Sequence, residues 1–151
     1  FPFHRENIRQ YLNVTAEPAQ DRFSGQELLS PFSRGMGGFG LPGDLSSASR
    51  FVRAAFVKLN SRSAEGEKES VSQFFHILGS VEQSRGCCEV AEGKYEITIY
   101  TSCCSAETGT YYYTTYENHQ ITAVDMKKEA LDSDSLICYP MILKGEIRRQ
   151  N

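Results

Sequence analysis

The spacing of apolar positions changes twice along the chain. Phe3, Ile8 and Leu12 fall at rough helical-turn intervals, which predicts a helix over residues 3–13. Residues 14–43 carry no period and read as an irregular stretch. A second helix is predicted to begin at Ser46 or Ser47, whose hydroxyls suit the free amides of a first turn, with Asp44 near its positive end. In that helix Phe51, Val52, Ala55, Phe56 and Leu59 fill one broad arc. Arg50 and Arg53 lie on the other side, but Ala54 and Val57 share it, so this side is not simply solvated. The helix is expected to pack one way with its large side chains and another with its small ones. NSRSAEGEKE, residues 60–69, reads as a polar connection. Ser70 and Gln73 then form an S-x-x-Q capping box, followed by the stripe Val71, Phe74, Phe75 and Leu78. His76 falls on the polar side of that helix, and Gly79 weakens or ends it.

Past residue 90 the period becomes two. KYEITIYTSCC (94–104), TYYYTTY (110–116) and QITAVDM (120–126) predict three strands joined by short turns, an antiparallel meander. KKEALDSD reads as a polar bend, LICYPM (136–141) as a last strand, and KGEIRRQN as a fraying tail. Tyr111 and Tyr113 share one face of their strand while Tyr112 and Tyr116 share the other, which calls for cover on both sides of the sheet. Helices on one side and something apolar on the other make a layered α+β architecture. No internal repeat is visible.

Composition narrows the class. The 151 residues suit one domain or a large piece of one, and 40% hydrophobic with 23% charged residues is a globular balance. A net charge of −3 without a basic run gives phosphate no footprint, so nucleic acid is not expected as a partner. Nothing approaches eighteen consecutive apolar residues, and no membrane insertion or signal peptide is expected. The five cysteines include two adjacent pairs, Cys87–Cys88 and Cys103–Cys104. Vicinal cysteines on a strand point to opposite faces and serve a tetrahedral metal poorly, so partly buried thiols in a reducing cytoplasm are the simpler reading. The chain opens on Phe1, and FPFHREN reads like the middle of a longer chain.

Motifs for familiar chemistries are absent: there is no G-x-S-x-G, no H-E-x-x-H, and His4, His76 and His119 are scattered. SPFSRGMGGFGLPGD is glycine-rich but is neither G-x-G-x-x-G nor a Walker loop. Its Phe32, Met36 and Phe39 either pin the loop to the core or line a pocket for an apolar substrate. Arg50 is either an oxyanion or carboxylate clamp or a member of a structural ion pair.

Four stretches, GLPGDLSSASRFVRAAF, ESVSQFFHILGSVE, YEITIYTSCC and GTYYYTTYENHQITAVDM, together resemble the choloylglycine hydrolase family of bile salt hydrolases and penicillin V acylases over nearly the whole chain. The resemblance implies the four-layer αββα fold of the N-terminal nucleophile hydrolases. It makes residues 1–151 the C-terminal portion of a single hydrolase domain, with two helices and an antiparallel sheet. In the family a cysteine at the mature N-terminus is the nucleophile and its own α-amine the base, and no metal or cofactor is needed. The family's second active-site arginine, in its S-R-F segment, falls on Arg50, while Arg53 is expected to make a structural or interface pair. Phe32, Met36 and Phe39 resemble a loop bordering the substrate mouth. The nucleophile, its partner aspartate, the first arginine and the asparagines would lie upstream of Phe1, so none of the five cysteines here is expected to be the nucleophile. The implied activity of the complete protein is amide hydrolysis of glycine- or taurine-conjugated bile salts, inside the cytoplasm, as a homo-oligomer. The alternatives are a penicillin V acylase and a non-catalytic binding or assembly fragment.

Overall fold

Ser46 starts the longest helix as expected. It has extended backbone (φ −62°, ψ 153°), and its hydroxyl accepts from the Ser49 amide. Such a cap contributes about 1 kcal/mol. The computed structural model describes residues 2–24 and 29–151. It divides into two compact units, Phe1–Ser61 and Arg62–Asn151. Part of the irregular stretch 14–43, residues 25–28, lies outside the described residues.

The first unit contains α1 (Pro2–Arg9) and α2 (Ser47–Asn60). The first helix is shorter than the expected 3–13: after Arg9 the amides of Gln10 and Tyr11 bond back only three residues, to Asn7 and Ile8, so the chain leaves the α-helix in tight turns. The two helices pack on each other. Asn7 donates Nδ2–H to the Ala48 carbonyl at 3.3 Å, and the His4 and Phe51 rings meet edge to face at 4.4 Å. Val52 is buried, and Phe51, Ala55 and Phe56 are half-buried. Ala54 and Val57 on the other side are half-buried as well, the two-sided helix the pattern required.

The second unit contains α3 (Glu67–Gly79), a short hairpin of β1 (Glu89–Ala91) and β2 (Lys94–Tyr95), and a sheet of β3 (Tyr100–Ser105), β4 (Thr110–Thr115) and β5 (Asn118–Asp125). The sheet is antiparallel in the order β3-β4-β5, with Cys103 opposite Tyr112 and Tyr112 opposite Ala123. Two expectations fail at its margins. The single strand 94–104 is interrupted: residues 96–99 leave the ladder because Thr98 is drawn to Gln83, its amide donating to the Gln83 carbonyl and its hydroxyl accepting from the Gln83 amide. The expected strand 136–141 is not a strand either, though its continuation is held in another way. Ile142 donates its amide to the Tyr113 hydroxyl at 3.1 Å, and its carbonyl accepts from Thr115 Oγ1 and Asn118 Nδ2, both at 3.4 Å. Ile142, just before the segment 144–151, therefore rests on the sheet, while 144–151 are exposed and outside regular secondary structure.

The helix α3 begins earlier than its capping box. Gly66, at φ 114°, precedes it, and Glu67 and Glu69 occupy the first turn, so Ser70 and Gln73 are interior residues. The anchor is tertiary: Glu67 accepts from the Thr108 hydroxyl at 2.6 Å and the Tyr112 hydroxyl at 3.0 Å. Thus α3 covers the Tyr112 face of the sheet, and the segment at Ile142 lies against the Tyr113 face. Val71, Phe74, Phe75 and Leu78 are half-buried, and His76 is exposed. No helix among the described residues is long and apolar enough to cross a membrane.

Candidate functional site

The sequence-predicted site residues all fall in the first unit, on the loop before α2 and in the first turn of that helix. Gly35, at φ 85°, opens a single 3-10 turn over Met36–Gly38. The turn is fastened by the Thr15 amide, which donates to the Gly37 carbonyl at 2.9 Å. Gly37 is buried where a Cβ would run into the carbonyls of Glu17 and Thr15, so the approach of the two backbones requires glycine. Met36 is half-buried beside it. Phe32 and Phe39 are 91% and 85% exposed, so they do not pin the loop.

Beyond Gly40, a hydrogen-bonded joint leads into the helix. The Asp44 carboxylate accepts from the Ser46 amide at 2.9 Å and from the Ser49 hydroxyl through a short hydrogen bond. Hydrogen bonds from the Ser46 hydroxyl, the Ser49 hydroxyl and the Ser46 amide hold its pKa down to about 2. Arg53 donates Nη1–H to the carbonyls of Pro42 at 2.9 Å and Asp44 at 2.7 Å. The structural pairing expected of Arg53 is thus made to backbone oxygens of the preceding loop. Arg50 is half-buried in the first turn, and its amide donates to the Ser46 carbonyl at 2.9 Å. Arg50 places a cationic side chain on the first turn of the helix, whose positive end already holds the Asp44 carboxylate.

The second unit offers a contrasting set. Burial, and next to it the neighbouring Cys104, push the Cys103 thiol pKa up, the opposite of nucleophile activation. Cys104 is exposed on the other face, as alternation on a strand requires. Glu67 is held below the usual glutamate range, foremost by the Thr108 hydroxyl and then by Ser105, with Tyr112 and Lys127 adding to it. Sequence reasoning missed this cluster, because its members are distant in the chain and carry no motif. It also missed the carboxylate of Asp21, which accepts from the amides of Phe23, Ser24 and Leu29 and organises the early loop. The only local signal was D-x-x-S, which is common in turns.

A helical unit followed by a unit with one helix on an antiparallel sheet forms part of an N-terminal nucleophile hydrolase fold. A solved structure of a variant of conjugated bile acid hydrolase from Clostridium perfringens superposes with a TM-score of 0.86 at 38% identity, covering 100% of this chain and 46% of that one. The family model for linear amide C–N hydrolases of the choloylglycine hydrolase family matches residues 1–139, and the chain belongs to that family. It is 57% identical over 141 residues to a bile salt hydrolase/transferase of Lactiplantibacillus plantarum, covering 93% of this chain and 44% of the relative. It is 41% identical to the bile salt hydrolase/transferase of Clostridium perfringens, over 92% of this chain and 42% of that one. The chain therefore spans less than half the length of these curated relatives. A penicillin V acylase from Agrobacterium tumefaciens shares the fold, with a TM-score of 0.60 at 16% identity.

Proposed function

We propose that this chain is the C-terminal portion of a four-layer αββα bile salt hydrolase, which cleaves the amide linking a bile acid to glycine or taurine. The observation that carries the reading is the 57% identity with a bile salt hydrolase/transferase across 93% of the chain. In this reading a cysteine and its α-amine come from residues outside the 151. Arg50 stands beside that thiol, favours its charged form, and offsets negative charge as the thiolate attacks the amide carbon. The amine leaves, a thioester remains, and water releases the bile acid. Other donors from outside these residues would hold the tetrahedral oxyanion. The exposed Phe32 and Phe39, with the half-buried Met36, supply apolar surface suited to a steroid at the mouth of the site. The chemistry requires no metal or cofactor.

The 151 residues alone are then inactive, and their partner is the rest of the protein. Exposed apolar side chains support that association and a homo-oligomer of the complete enzyme: Leu136 and Ile147 are 94% and 93% exposed. Five cysteines on a conjugate-cleaving enzyme with a required thiol suit the reducing cytoplasm. The test is kcat/KM of the complete protein for glycocholate, taurocholate and penicillin V, beside release of glycine or taurine by the 151-residue piece. Conjugated bile salts should lead and the piece should release nothing. A preference for penicillin V overturns the substrate assignment, and turnover by the piece overturns the placement of the nucleophile.

A further inference from the structure

We infer that Asp44, Ser49 and Arg53 are positioning residues that aim Arg50. The inference rests on the reading that Arg50 acts in the reaction. Arg50 occupies the first turn of α2, the part of a helix most prone to fray, and carries a long side chain that magnifies any error in its backbone. Ser46 caps one of the free amides of that turn, that of Ser49. The structure adds more. Asp44 is gripped through both of its ends. Its carboxylate takes the Ser46 amide and the Ser49 hydroxyl, while its backbone carbonyl takes Arg53 Nη1 at 2.7 Å. The same guanidinium nitrogen takes the Pro42 carbonyl at 2.9 Å, so the loop leading into the helix is fixed as well.

Residue 50 is thereby bracketed. Its neighbour Ser49 is bound to Asp44 by the side chain, and Arg53, one turn on, is bound to Asp44 by the guanidinium. Its own amide bonds to Ser46, which Asp44 also holds. Ser49 is only 8% exposed, so its hydroxyl is committed to this joint and not to solvent. The joint leaves the entry of the chain and the start of the helix no freedom to turn independently, and the direction of the Arg50 Cα–Cβ bond is fixed by both. Catalytic groups need such second-layer support, since a misplacement of ~1 Å costs on the order of a hundredfold in rate.

The experiment uses the complete protein and reads two quantities, glycocholate turnover and the pH profile of cysteine alkylation. The variants are Asp44→Ala, Ser49→Ala and Arg53→Leu, the conservative Asp44→Asn and Arg53→Lys, and Arg50→Leu beside them. Asp44→Ala is expected to lower kcat by about tenfold to a hundredfold with KM changed by less than about threefold, and Ser49→Ala by a smaller factor. Both should move the alkylation profile to higher pH, the direction in which Arg50→Leu moves it. Asparagine at 44 keeps an acceptor oxygen for the Ser46 amide and can donate its Nδ2–H to the Ser49 hydroxyl, and lysine at 53 keeps a donor, so each should recover part of the lost turnover. Should Asp44→Ala fail to fold, Ser49→Ala and Asp44→Asn carry the same two readouts. The inference is overturned if Arg50→Leu is inactive while the Asp44 and Ser49 variants lose only melting temperature. If Arg50→Leu itself leaves turnover and profile unchanged, the role of Arg50 is what fails, and with it any need to aim it.

Discussion

In residues 62–151 the backbone carries most of the order: β3, β4 and β5 pair residue by residue, and α3 is laid on one face of their sheet. Among the described residues of the first unit there is no ladder, and beside the two helices and a few turn bonds order depends on individual side-chain hydrogen bonds. Arg53 reaches Pro42 and Asp44, Asn7 reaches Ala48, and the Asp44 carboxylate gathers Ser46 and Ser49. A ladder spreads its load over many equivalent bonds, so one lost side chain is shared out. A loop tied at a few points has no such reserve. The residues assigned to chemistry sit on the tied loop and the helix it enters, and the ladder region carries none of them. Positions in the first region should therefore fail individually, and positions in the second should fail gently.

The sharpest test of that contrast is Arg50. In the complete protein Arg50→Leu should lower kcat/KM for conjugated bile salts by about a hundredfold, the scale of removing one charge-stabilising donor. Arg50→Lys should retain part of the activity, because lysine keeps the charge and loses the planar fork. Turnover and cysteine alkylation measured against pH decide it. Wild-type behaviour in Arg50→Leu would make this residue structural and erase the functional half of the comparison.

Gly37 tests the structural half. A Cβ there meets the Glu17 and Thr15 carbonyls, which are backbone atoms and cannot swing aside. Gly37→Ala should destabilise the protein by roughly 1–3 kcal/mol, at the upper end of that range, as overpacking does. Gly38→Ala is the control, since nothing lies near a Cβ at that position. Equal denaturation midpoints for the two variants would show that the loop adjusts freely and is not tied as described.

How much of this was legible in the sequence follows the same division. The start of α2 was readable, because Ser46 caps it with its own hydroxyl and the signal is local. The meander was readable from the alternation of residue types in runs separated by short turns, although burial alternates in β4 and not throughout β5. The start of α3 was not. A capping box at Ser70 and Gln73 looked complete, but Glu67 finds Thr108 and Tyr112 more than forty positions away, and that tertiary contact extends the helix by a turn. Nor was the break at residues 96–99, which depends on Gln83. Residues 136–141 looked like a strand because the anchors that hold the chain at Ile142 are side chains of the sheet, not a ladder of its own. For the site, the residue types Asp44, Arg50 and Arg53 were visible, and the family resemblance singled out Arg50. What spacing could not supply was that one aspartate is bound at once by a serine amide, a buried serine hydroxyl and an arginine.

In the ladder region a smaller effect is expected from Tyr113→Phe. The hydroxyl of Tyr113 accepts the Ile142 amide, and the phenyl ring would stay buried in place. Thr115 and Asn118 still reach the Ile142 carbonyl. The loss should be about 1 kcal/mol, the net worth of one hydrogen bond. Exchange of the Ile142 amide should accelerate while amides in β3 and β4 keep their protection. Loss of protection throughout the sheet would mean that the tail is essential to it, and that this region too hangs on single contacts.

The mildest effect belongs to Glu67, and it is confined to acid. Its carboxylate accepts from Thr108 and Tyr112, and these bonds favour the ionised form, so its pKa in the folded protein lies below the usual glutamate range. A group lowered on folding binds its proton more weakly in the native state than in the unfolded one. Its contribution is therefore whole above the ordinary glutamate pKa, declines as pH falls below that value, and is gone once pH has passed through the lowered one. Glu67→Gln keeps an acceptor for the Thr108 hydroxyl and has no proton to gain. Near neutral pH the variant should be slightly less stable than wild type, and the gap should narrow as the medium is acidified through the carboxylate range. Denaturation midpoints of both proteins measured from neutral pH down into that range give the difference directly. A gap that stays constant across it would mean that Glu67 binds its proton equally in both states, and that α3 is placed by its half-buried Phe74 and Phe75 and not by the carboxylate at its first turn.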